Sequence, residues 1–216
     1  MKKILIWVSF WFFLIWWAFA YTNEQLSSAN DLAKRWIINN HMDNPVKYNL
    51  DSDVLRQEIW AITRWVAWLK KSSTCKWLFK DLTSTKPNSW ACVNIEPLVE
   101  NNLISKNKLF RPEDPITKTE TLWMLIKAIW FDYSYDPKNP KNWQEQIVDF
   151  AVSKWIVKKF TDYNTDATRW WVFKIADFSI KLREAEVKKV KDTKKYSDEA
   201  SIDKEFWIDI TQLFND

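Results

Sequence analysis

Apolar residues recur along this chain at helical spacing, in paired segments separated by polar loops. The clearest case follows Thr117. Leu122, Leu125, Ile126 and Ile129 fall at i, i+3, i+4 and i+7, which marks the buried stripe of an amphipathic helix. Thr117 and Glu120 stand three apart just before that stripe. That is the spacing of a capping box, in which the hydroxyl accepts an orphan backbone N–H and the carboxylate reaches back to the cap's own N–H. Pro112 and Pro115 hold the approach extended. Upstream, a helix is predicted over residues 91–100, with Cys92, Ile95, Leu98 and Val99 inward and a stop at Asn101 and Asn102. Residues 79–130 thus read as loop, helix, turn, loop, helix.

Weaker copies of the unit flank it. On the N-terminal side, helical patterning starts near Ser27, and a first helix closes around Trp36. A loop from Tyr48 to Glu58 then leads to a helix burying Ile59, Ile62, Val66 and Leu69. On the C-terminal side a helix from about Asn142 carries Ile147, Phe150 and Ala151 inward and closes near Trp155. A loop from Phe160 to Arg169 follows, then a helix with Val172, Ile175 and Ala176 inward. The expected fold is mainly α, built from three tandem helix–loop–helix units at residues 27–70, 75–133 and 142–182. Residues 183–216 form a charged tail: a helical extension, basic from Lys188 to Lys195, then acidic from Ser197 to Glu205. Residues 206–214 are apolar enough for a short docked element, with a solvated disordered end as the equal alternative.

Residues 1–20 have the layout of a secretory signal: Lys2 and Lys3, an apolar core, and Ala18-Phe19-Ala20 as a small-residue exit. The competing reading is a retained anchor, but the apolar run is short for a span. No later stretch is long enough to cross a bilayer, and no lipidation cysteine follows the leader. Loss of Lys2 and Lys3 lowers the formal charge from +4 to +2. That balance, with charges scattered along the chain, excludes a nucleic-acid footprint. Export also permits a disulfide between Cys75 and Cys92, a loop closure of about 3 kcal/mol in the chain-entropy picture. Two unpaired thiols, or a metal held without nearby histidine, are the weaker alternatives.

The composition holds an anomaly: 17 tryptophans and no glycine. A chain of this length ordinarily has about 15 glycines, because left-handed backbone positions need them. Some bacteria decode UGA as glycine, whereas the usual recoded translation table writes tryptophan. On this reading most Trp positions are glycine in the cell. The best candidates are Trp7, Trp11, Trp16 and Trp17 in the leader and Trp36, Trp68, Trp130 and Trp155 at helix ends. The copies support it, since Trp36 and Trp155 align with Asn102, and Asn exchanges with Gly at a left-handed helix end.

The middle unit resembles an S-layer homology domain. The resemblance rests on Phe79-x-Asp81, a helix ending before Leu103-Ile104, and Phe110-Arg-Pro-x-x-x-Ile-Thr-Lys-x-Glu120. The family's second-helix signature, Ile-Thr-Arg-Ala-Glu, corresponds here to Val54-Leu-Arg56-Gln-Glu58, Ile116-Thr-Lys118-Thr-Glu120 and Ala167-Thr-Arg169-Trp-Trp171. The match is strong over 79–130, fair over 142–182 and weak over 27–70. The resemblance implies three copies packed as a pseudo-threefold bundle that binds an anionic secondary cell-wall polysaccharide at the cell surface. Arg56, Lys118 and Arg169 are then the candidate polymer contacts, one per unit. A guanidinium forks onto a carboxylate, and a helix N-terminus offers N–H groups to an anion. Thr117, Glu120, Glu58 and Thr168 are expected to be structural caps. Two departures stand out: Leu55 replaces the capping Thr of the first unit, and Trp171 replaces the Glu of the third.

Nothing in the sequence assembles a catalytic site. His41, the one histidine, lies in a polar Asn-Asn-His-Met segment, and no nucleophile elbow or phosphate loop is present. Asp51 with Asp53, and Asp162 with Asp166, lack EF-hand spacing. No cofactor and no metal are expected. The reading is a non-catalytic, exported envelope module, with other envelope proteins as further partners. The alternatives are a secreted protein–protein interaction scaffold without polymer binding, or a small wall-modifying enzyme.

Overall fold

The computed structural model describes residues 21–84, 89–129 and 133–196, with side chains to residue 189. The leader with its tryptophans, Trp130, and the acidic and apolar segments of residues 197–214 lie outside the described residues. Six α-helices and a short 3-10 turn make up the described chain, which is mainly α. The helices are α1 (Asn23–Lys34), α2 (Arg56–Val66), α3 (Cys92–Glu100), α4 (Lys118–Ala128), α5 (Trp143–Ser153) and α6 (Arg169–Tyr196). The 3-10 turn spans Pro45–Tyr48.

The helix faces follow the apolar spacing. Ile59, Ile95, Leu98, Leu122, Leu125 and Ile147 are all fully buried in one core. The first helix starts earlier than the apolar pattern indicated. Thr22 caps it, accepting from Gln25 N at 3.3 Å, while the Gln25 side chain accepts from Thr22 N at 2.8 Å. This Thr-x-x-Gln box fixes the start at Asn23 rather than near Ser27. At the other end of the chain, α6 runs on to Tyr196, well past the last strongly apolar turn.

The second helices of the three units, α2, α4 and α6, pack on one another. Each first helix packs on a second helix of another unit: α3 on α2, α5 on α4, and α1 on α6. The loops entering the second helices are tied in a closed ring. Val54 N donates to Ala167 O at 2.9 Å, Ala167 N to Ile116 O at 2.8 Å, and Ile116 N to Val54 O at 3.0 Å. Each of these residues stands two before the first residue of its helix, so the ring places the starts of α2, α4 and α6 side by side. At the far end, Arg183 of α6 donates to Val66 O at 2.6 Å and Ala128 O at 3.3 Å. It thereby serves carbonyls at the ends of α2 and α4 that have no partner within their own helices. Burial drives its pKa down to about 10.

The turns that end the helices bear on the composition anomaly. Trp36, Trp68, Asn102 and Trp155 have φ of 60°, 58°, 56° and 60°. Each sits in the same paired hydrogen-bond motif. Trp36 N donates to Ala33 O and Ile37 N to Leu32 O, both at 3.0 Å, and the same offsets recur at Trp68, Asn102 and Trp155. This is the Schellman ending, whose left-handed residue is ordinarily glycine. Trp77, in the loop before α3, also lies at φ 53°. That loop is held to α3 by the Cys75–Cys92 disulfide, with Cα atoms 5.7 Å apart. Fully buried Glu96 reinforces it, accepting from Lys76 N at 2.9 Å.

Candidate binding junctions

Arg56, Lys118 and Arg169 are each the first residue of a second helix. Their backbone N–H groups are engaged by loops of other units. Arg56 N donates to Asp114 O at 2.9 Å, Lys118 N to Thr165 O at 2.9 Å, and Arg169 N to Ser52 O at 2.8 Å. Gln57 N and Trp170 N, one residue further in, are likewise bound, to Pro112 O at 3.1 Å and Leu50 O at 2.9 Å. This corrects the expectation that helix-terminal N–H groups stand open to an anion, because the junction itself uses them. Any anion arriving here meets side-chain cations.

Those cations lie across the junctions between units. Arg56 donates through Nε to Phe110 O at 3.1 Å and through Nη1 to Glu120 Oε1 at 3.0 Å. Arg169 pairs with Glu58 Oε1. Lys118 has Trp171 where its counterpart glutamate would stand, and pairs with Asp162 Oδ2 at 2.6 Å, its ammonium 5.8 Å from the Phe160 ring centre. That bond holds the Asp162 carboxyl below its ordinary 3.8. The three side chains retain 15%, 22% and 30% exposure for Arg56, Lys118 and Arg169, so they are partly buried yet reachable.

Glu120 and Glu58 do two things at once. Glu120 Oε2 accepts from Thr117 N at 3.1 Å, closing the expected box in which Thr117 Oγ1 accepts from Glu120 N at 3.3 Å. Its other oxygen takes Arg56. Glu58 Oε2 accepts from Leu55 N at 3.0 Å while Oε1 takes Arg169. Each glutamate therefore caps its own helix and clasps a neighbouring unit. Leu55 has no side-chain acceptor, so the first unit keeps only half a box. Thr168 precedes α6, its carbonyl accepting from Val172 N at 3.0 Å.

Two of the junctions open into clefts. One, of about 450 Å³, is lined by Arg56, Glu120, Phe79, Leu109, Phe110 and Met124, among others. Phe110 is positioned by Asp81, whose carboxylate accepts from Phe110 N at 2.8 Å. The other, of about 280 Å³, is lined by Arg169, Glu58, Lys47, His41 and Tyr48, among others. His41 packs edge-on against Tyr48, with ring centres 5.4 Å apart. Each cleft joins a cation to aromatic walls, an arrangement that can hold a ring-shaped molecule bearing an anionic group. Sequence reasoning assigned no role to His41 or Tyr48, and of Asp162 said only that it lacks EF-hand spacing.

Among the described residues no helix is long and apolar enough to cross a membrane. No family model matches this chain, and no curated protein matches it.

Proposed function

We propose that the chain is a non-catalytic, exported cell-envelope module of three S-layer-homology-like repeats in pseudo-threefold arrangement. It binds an anionic secondary cell-wall polysaccharide through Arg56, Lys118 and Arg169. The observation that carries the reading is positional. The three cations occupy one matched site, two residues after each member of the backbone ring, and each reaches across a junction between units. An acidic sugar carboxylate competes with Glu120, Glu58 or Asp162 for a cation already oriented by its neighbours. Arg56 and Arg169 offer a fork and an adjoining cleft; Lys118 offers a point charge beside a ring.

The reading includes glycine at the left-handed tryptophans. Support comes from the Schellman endings at Trp36, Trp68 and Trp155, matched by Asn102. Intact mass of the native protein tests it, and a mass matching 17 tryptophans contradicts it.

Co-sedimentation with purified cell-wall sacculi tests the binding. The chain pellets with intact sacculi and stays in solution once the secondary polymer has been extracted. The second reading, a secreted interaction scaffold, draws on the fact that each cation already has a carboxylate partner. It predicts sedimentation indifferent to extraction.

A further inference from the structure

We propose that the larger cleft receives residues 206–214 of a second copy of this chain, joining copies head to tail. The cleft is walled by Phe79, Ile104, Leu109, Phe110, Met124 and Tyr135. Leu109 and Tyr135 remain 52% and 43% exposed, so apolar surface is left uncovered at its mouth. The loop that supplies Ile104, Leu109 and Phe110 carries Lys106 and Lys108, both exposed, while Arg111 pairs with Asp114 at 3.7 Å.

The chain itself supplies a matching occupant. Phe206, Ile210, Leu213 and Phe214 fall at i, i+4, i+7 and i+8, the anchor spacing of a segment laid into an apolar groove. Asp203, Glu205, Asp209 and Asp216 surround these anchors, against the single cation Lys204. The segment is thus acidic against the two lysines of that loop, which favours this pairing and orients the encounter. Trp60, Trp123 and Trp143 also line the cleft and Trp207 lies within the segment; the walls and anchors named above are the non-tryptophan ones.

Reach selects a second copy over the same one. The cleft lies near the ring end of α2 and α4, whereas Arg183 sits at their far ends. From Arg183, α6 continues to Tyr196, roughly 20 Å further away at about 1.5 Å per residue. A return to its own cleft covers that distance plus the length of α2, roughly 15 Å more. The ten steps from Tyr196 to Phe206 span at most about 33–36 Å when fully stretched. The same-chain route therefore needs a taut strand around the body, while another copy is met directly. Such a contact is heterologous, so it propagates. The proposal does not rest on polymer binding, and a seated segment covers the Arg56–Glu120 pair at that junction.

Sedimentation velocity of the mature chain over a wide concentration range, without polymer, tests it. The sedimentation coefficient should rise with concentration. Leu109→Asp in the cleft, or Phe206→Asp with Phe214→Asp in the tail, should each shift association to at least about tenfold higher concentration. Thermal unfolding should not change; if Leu109→Asp lowers it, Tyr135→Asp takes its place. An equimolar mixture of the cleft variant and the tail variant should form dimers that grow no further, since one intact cleft meets one intact tail. A chain that is monomeric throughout, association that survives the tail changes, or a mixture that fails to pair would overturn the proposal.

Discussion

The middle segment and the two that flank it share ring bonds and left-handed helix ends but differ in side chains. The middle one has the full set: Thr117 and Glu120 close a capping box, and Asn102 occupies the left-handed helix end. The first unit lacks the capping hydroxyl, having Leu55, and has Trp36 at the left-handed position. The third lacks the carboxylate, having Trp171, and has Trp155 there. Yet the ring bonds differ by no more than 0.2 Å among the three, at 2.8, 2.9 and 3.0 Å. The shared geometry therefore comes from backbone hydrogen bonding and core burial. The side-chain caps add stability to a shape already set, and the cross-unit carboxylate decides which cation is clasped.

Reducing the middle unit to the state of the third should have the largest effect. Glu120→Ala removes a cap acceptor and leaves Arg56 half-buried beside a lost partner. Urea denaturation should show a loss of about 3 kcal/mol; a loss under about 1 kcal/mol would make the clasp incidental. Raising the flanking units should come next. Trp36 and Trp155 are 83% and 87% exposed, so their rings contribute little burial to offset a left-handed backbone. In a chain made with tryptophan at both positions, Trp36→Gly with Trp155→Gly should gain about 2 kcal/mol together. Asn102→Gly, by contrast, should change little. Leu55→Thr, which completes the first unit's box, should gain about 1 kcal/mol.

The smallest effect is that of acid on the third clasp. Lys118 holds Asp162 below its ordinary pKa of 3.8. A lowered folded-state pKa stabilises above the unfolded value and loses that contribution as pH falls through the folded one. Asp149, bonded to Lys141 and Lys159, and Asp31, bonded to Lys181, act in the same direction. Melting temperature should be flat from about pH 5 to 7 and fall below about pH 4. Asp162→Asn should blunt that fall, and an unchanged profile would place the acid sensitivity elsewhere.

Local features were legible and cross-unit ones were not. Helix faces followed from apolar spacing, the Thr117 cap from a four-residue motif, and three left-handed ends from aligning Trp36 and Trp155 with Asn102. Trp77 escaped because its loop has no aligned counterpart. The start of α1 was readable in Thr22 and Gln25, but apolar spacing alone pointed further in. The second task of Glu120 and Glu58 left no local trace, since their partners lie 64 and 111 residues away in sequence. Likewise the place of the cations at each helix start could be read from the residue pattern, but not that the loops of neighbouring units consume the N–H groups beside them.

The most direct measurement compares sacculus binding of the unmodified chain with that of Arg56→Gln, Lys118→Gln and Arg169→Gln combined. Circular dichroism must first show that the triple variant is folded. The account predicts that the unmodified chain pellets with polymer-bearing sacculi and that the folded triple variant stays in the supernatant. Equal pelleting of both would contradict it.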